Sequence, residues 1–177
     1  MCCDKWAKGP EKPVSNTHEE HIMSKHQPIT ATVERTIPAS PETLYDIVTD
    51  VGRIGELSPE CRGAEWVGKT AGPEVGARFK GENELGKSKW STKPTVTAAE
   101  RGQVFEFKVP MSFGPTWRYE FHAVEGGTRV VESVRQDKAS PWFIRRAQKK
   151  AGVTDRAANI TNGMEITLNN LERLATA

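Results

Sequence analysis

The sequence predicts an α+β fold: a curved antiparallel sheet of about seven strands wrapped round one long C-terminal helix, with two short helices after the first strand. Three observations carry this. Ile160, Met164, Leu168, Leu171 and Leu174 recur at spacings of three and four, which places one apolar stripe on a helix over Thr154 to Leu174. Residues 61–136 read almost throughout as short alternating strands. A lone long helix after a run of hairpins must bury its stripe, and the concave face of a bent sheet is the surface at hand.

The elements follow in order. Met1 to Pro28 is polar, carries charges of both signs and shows no sustained period, so residues 1–28 are expected to be a disordered tail and residues 29–177 the folded domain. Ile29, Ala31, Val33 and Ile37 largely alternate with polar residues and form the first strand. Ser40-Pro41 supplies an N-cap with proline at the first helical position, and Leu44, Ile47, Val48 and Val51 form that helix's apolar face. Gly52 and Gly55 break the pattern, and Ile54 and Leu57 predict a second helical turn before Pro59. The pair is expected to act as a clasp at one end of the sheet.

Cys61 to Val67 is the second strand. A loop rich in glycine, with Pro73, precedes a hairpin of Ala77 to Glu84 and Lys87 to Ala98 that turns near Leu85-Gly86. Pro94 removes a ladder donor and predicts a bulge or an edge in the second arm. In Val104 to Val109, Phe105, Phe107 and Val109 share a face. In Trp117 to Ala123, Trp117, Tyr119, Phe121 and Ala123 face in while Arg118, Glu120 and His122 face out. Thr128 to Gln136 is the last strand, Pro141 to Lys150 a short basic helix, and Thr154 or Asp155 caps the long helix. Arg156, Asn159, Asn162, Asn169 and Glu172 lie off its apolar stripe.

The register of the last hairpin decides what faces inward, because a slip of one residue exchanges the two faces. A two-residue turn at Gly126-Gly127 pairs Phe121 with Glu132 and turns that carboxylate inward, where burial raises its pKa and suits it to acid/base work. A three-residue turn including Glu125 pairs Phe121 with Val131 and Tyr119 with Ser133, and turns Ser133 and Arg135 inward. Both registers stay open; keeping Val131 in the core favours the second.

Composition excludes several classes. A formal net charge of +2 gives no strong electrostatic case for nucleic acid. No apolar run approaches the roughly 18 residues a membrane span needs, and no apolar leader opens the chain, so a cytoplasmic protein without stable membrane insertion is expected. The three cysteines, Cys2, Cys3 and Cys61, form no disulfide framework. Cys2, Cys3, His18, His21 and His26 of the tail have loose spacing and no scaffold, so no metal and no cofactor is expected. Gly81 to Ser88 matches the phosphate-loop pattern letter for letter, but that chemistry needs a helix after it, and the residues that follow alternate like a strand. His122 reads as a solvent-side histidine, and no serine or cysteine nucleophile has a base at hand.

Two phrases carry a resemblance. Ile37-Pro38-Ala39-Ser40-Pro41-Glu42-Thr43-Leu44-Tyr45 is similar to a strand-to-helix entry, and Thr116 to Phe121 through Gly126 to Val130 to a penultimate hairpin, of the START-like helix-grip superfamily. The chain resembles in particular its polyketide cyclase/dehydrase and lipid-transport (SRPBCC) group over about Ile29 to Leu174. The resemblance implies a hydrophobic ligand held between sheet and C-terminal helix. Phe79, Trp90, Phe105, Phe107, Trp117, Tyr119, Phe121, Ser133 and Met164 are the expected lining, with entry near Met164. No catalytic residue transfers from the family. Tyr119, Glu132 and Arg135 are the candidates if the cavity is that of a cyclase or dehydratase. A third reading is a partner module without ligand, docking through Trp142 and Phe143 and the basic residues beside them. The oligomeric state leaves no trace in the sequence.

Overall fold

The structure, a computed structural model, describes residues 28–69 and 72–177. The tail with its cysteines and histidines lies outside the described residues, except for Pro28. The sheet follows the strand path β1-β8-β7-β6-β5-β3-β2, with β4 paired to β3 off that path. Its strands are β1 (Ile29–Ile37), β2 (Cys61–Val67), β3 (Arg78–Leu85), β4 (Ser88–Thr92), β5 (Thr95–Glu100), β6 (Val104–Lys108), β7 (Thr116–Val124) and β8 (Gly127–Gln136). Four α-helices accompany it: α1 (Pro41–Thr49), α2 (Ile54–Leu57), α3 (Trp142–Lys150) and α4 (Arg156–Ala175), with a 3₁₀ turn over Val51–Arg53. All strand pairs are antiparallel, and α4 lies across the concave face as the sequence predicts.

Local chemistry explains the elements. The Ser40 hydroxyl accepts from the Thr43 amide at 3.2 Å and Pro41 opens α1. Leu44, Tyr45 and Val48 then turn one face into the core. Gly55 lets α2 lie directly on β2, since a Cβ there would collide with the Arg62 carbonyl. Pro94 divides the expected long second arm of the hairpin into β4 and β5. Asp155, rather than Thr154, caps α4, its carboxylate accepting from the Ala158 amide at 3.0 Å. Ile160, Met164, Leu168 and Leu171 are buried along α4, with Thr167 between them. The phosphate-loop lookalike over residues 81–88 is the β3–β4 hairpin, with no helix behind it.

The last hairpin takes neither register expected from the sequence. Glu125 and Gly126 form the turn, so Phe121 pairs with Val130, Tyr119 with Glu132 and Trp117 with Val134. Gly126 adopts a φ of 83°, whereas Gly127 already belongs to β8. A Cβ at Gly127 would strike the Ile37 carbonyl, so this glycine serves the β1–β8 approach and leaves the turn to its predecessor. The favoured three-residue reading is thereby corrected. Ser133 and Arg135 face outward, and Thr128, Val130, Glu132, Val134 and Gln136 are buried. Val131 is half-buried on the outer face, and Ala123 is exposed where an inward position was expected.

Among the described residues no helix is long and apolar enough to cross a membrane.

Candidate functional site

The core is solid under α1. Tyr45 meets Phe105 and Phe121 edge-on, with ring centroids 6.3 and 5.9 Å apart. Towards the other end the sheet carries equally bulky rings, but α4 offers them smaller side chains, Gly163 and Thr167 among them. The space left is a cavity of about 330 Å³ between sheet and helix. Phe79, Phe107, Trp117 and Met164 give it an apolar wall, and Phe79 and Phe107 stack edge-on at 5.2 Å. Trp90, Met111, Pro59 and Asn162 border the cavity yet are exposed, and they mark its rim.

Of the nine residues expected to line the cavity, Phe79, Trp90, Phe105, Phe107, Trp117, Tyr119 and Met164 border it. Phe121 does not; its alternation is inward as expected, but it lies in the filled half against Tyr45. Ser133 does not either, because the register turns it to the outer face. Met164 is 1% exposed and forms buried wall, while Asn162, two residues before it, lies at the rim.

Sequence reasoning missed most of the polar lining. Arg156, Asn159 and Asn162 border the cavity although the sequence reading set them apart from the apolar stripe. The signal was present: Arg156, Asn159, Ile160, Gly163 and Thr167 continue the stripe's spacing of three and four towards the helix start. Arg156 grips Glu60 through both guanidinium nitrogens at 2.6 and 2.7 Å and also reaches Asn159 at 2.6 Å. Asn83 shares the inward parity of Phe79, Gly81 and Leu85 on β3. Cys61 borders the cavity half-buried, and burial pushes its thiol up from the usual range, which argues against a reactive thiolate.

The most unusual group is Glu132. It is 2% exposed, midway along β8, with Val33 opposite on β1 and Tyr119 opposite on β7. The Tyr119 hydroxyl donates to Oε1 at 2.8 Å. Oε2 is buried and has no partner among the described residues. Burial pushes the Glu132 carboxyl up to about 8, Tyr119's hydrogen bond opposing and the charge of Glu165 adding. Burial likewise holds the Tyr119 phenol well above its usual value, with the Glu132 charge adding. At neutral pH the pair is therefore mainly a phenol and a neutral carboxylic acid, bordering a mostly apolar space.

A helix gripped by a bent sheet is matched by comparison with known proteins. The model of the family described as polyketide cyclase / dehydrase and lipid transport matches residues 28–176. The chain belongs to that family. A polyketide-cyclase-like protein from Corynebacterium glutamicum, solved in solution, is similar at 29% identity and a TM-score of 0.54, with 84% of this chain and 92% of that one covered. A crystal structure from Mesorhizobium loti is similar at 20% identity and a TM-score of 0.58, covering 82% and 95%. The major latex-like protein 151 of Panax ginseng shares the fold at 12% identity and a TM-score of 0.64, covering 85% and 99%. No curated protein matches the sequence.

Proposed function

We propose that this member of the polyketide cyclase/dehydrase and lipid transport family binds a hydrophobic small molecule, lipid-like or polycyclic, between sheet and α4, as a carrier or sensor in the cytoplasm. The observation that carries the reading is the 330 Å³ cavity walled by Phe79, Phe107 and Trp117, open at a rim that includes Trp90 and Met111. Affinity comes from removing apolar surface from water, about 25 cal/mol per Å² before ordering costs. A fluorescent apolar probe titrated into the protein tests it. Saturable binding that weakens in Trp117→Ala supports the reading, and no binding to the wild type sinks it.

Tyr119 and Glu132 favour a second reading, a cyclase or dehydratase working in the same cavity. Carbonyl condensation and loss of a hydroxyl both call for a proton delivered where water is scarce. A buried neutral acid beside a phenol supplies one. Turnover of a poly-β-ketone thioester, followed by mass spectrometry, tests it; an unchanged rate in Glu132→Gln counts against it.

A further inference from the structure

The cavity has one buried oxygen that the fold itself leaves without a hydrogen bond. Oε1 of Glu132 is held by Tyr119, and Oε2 is buried with no partner among the described residues. Leaving such a group unpaired is costly, so it calls for a partner that the fold itself does not supply. The surrounding wall is mostly ring and aliphatic surface, so the complementary molecule is greasy with one polar atom at depth.

We propose that Glu132 is the polar anchor of the cavity, and that its ligand is an uncharged, largely apolar molecule bearing one oxygen acceptor such as a ketone that hydrogen-bonds to Oε2–H. This rests on the ligand-binding reading above and narrows it to a chemical class. Fatty-acid anions and phosphorylated lipids are disfavoured, because a full charge set against that mostly apolar wall loses its hydration. The facing groups agree. From β7 comes Tyr119, from β2 Cys61, whose thiol burial keeps neutral, and from α4 Glu165, whose charge favours the neutral form of Glu132. Arg35 of β1, on the same sheet face by register, is engaged with Glu172 of α4 at 2.9 Å. Arg156, at the cavity's edge, is engaged with Glu60.

The role of each oxygen follows. Tyr119 donates to Oε1 and so leaves the acid's own proton on Oε2, the oxygen without a partner among the described residues. Tyr119 is thereby a positioning residue and Glu132 the contact. Glutamine at 132 keeps one acceptor for Tyr119 and one donor for the guest, whereas leucine removes both.

The experiment uses two dimethylaminonaphthalene probes of the same core, one carrying a propionyl ketone and one without the acyl group. The expected result is that the full chain binds the ketone about ten- to hundredfold more tightly, the range for a buried hydrogen bond made rather than lost. The bound ketone's emission shows a hydrogen-bonded carbonyl. Raising the pH through about 8 ionises Oε2 and erases the preference. Glu132→Gln keeps the preference and loses its pH dependence, and Glu132→Leu binds both probes alike. Equal affinity of the wild type for both probes at neutral pH overturns the anchor and leaves the hydrophobic-ligand reading standing. Binding of neither probe overturns both. A preference that survives in Glu132→Leu also overturns the anchor, and where that variant fails to fold, a wild-type preference that does not change with pH overturns it instead.

Discussion

Under α1, Phe121 and Phe105 are met edge-on by Tyr45, and Ile37, Leu44, Val130 and Leu171 complete a core without exposure. A few residues along the same strands, Phe107 and Trp117 face the first turns of α4 and enclose empty space instead. The sheet contributes similar rings to both halves. What differs is the helical cover: α1 and α4 close tightly over one half, whereas over the other α4 brings small side chains, Gly163 and Thr167, and the edges of the remaining helices, such as Leu57 and Gln148, reach only the border. A cavity here is thus a deficit of covering volume, created without any special residue in the sheet, and close packing is confined to the half that must hold the fold together.

That contrast can be broken by substitution. Phe121→Ala, in the packed half, should cost about 3–5 kcal/mol of stability in urea unfolding. Trp117→Ala, at the cavity wall, should cost clearly less and instead weaken apolar-probe binding. Equal losses of stability would show both halves packed alike. The next effect in size concerns pH. The unfolded chain releases the Glu132 proton near 4.5 and the folded chain holds it to about 8, so the folded state binds more protons between these values. Stability therefore falls as pH rises through that window, by about 1.4 kcal/mol per unit from this group. The difference between wild type and Glu132→Gln, measured by urea unfolding at several pH values, isolates that slope; parallel profiles would mean that the carboxyl is not held neutral. Arg156→Met, which unties α4 from Glu60 at the cavity, should cost about 1 kcal/mol, since the pair is only partly buried. Smallest is Asp155→Ala, which removes the α4 cap for roughly 0.5–1 kcal/mol and should fray the helix start without touching Phe121's half. Amide hydrogen exchange confined to the first turn checks this.

The sequence carried the architecture further than the site. Alternation on β6 and β7 and the spacing of Ile160 to Leu171 fix which faces are apolar, and those faces do meet in the structure. Pro94 marked a break in its strand but could not say that the break yields two strands. The inward carboxylate was one of two alternatives and the less favoured one. Turn residues alone assign Gly126-Gly127 to the turn, and only the contact between Gly127 and the distant Ile37 carbonyl draws that glycine into β8. Ser133 and Phe121 failed as lining residues for two different reasons. Ser133 followed from the wrong register, a local error. Phe121 had the right phase, but phase along a strand says which side a ring faces and not whether a helix fills the space there.

The Arg156–Glu60 fork has a mechanical side. Leu168 and Leu171 root the far end of α4 in the close-packed half, while its near end, carrying Arg156, Asn159 and Gly163, projects over the cavity. The helix is in effect a cantilever whose free tip is pinned by one two-bond clasp. A guest wider than the space provided loads the tip and not the root, and yielding there means parting the 2.6 and 2.7 Å contacts to Glu60. For the ligand-binding function proposed above, the upper size limit on a guest follows from the stiffness of that clasp more than from the shape of the wall.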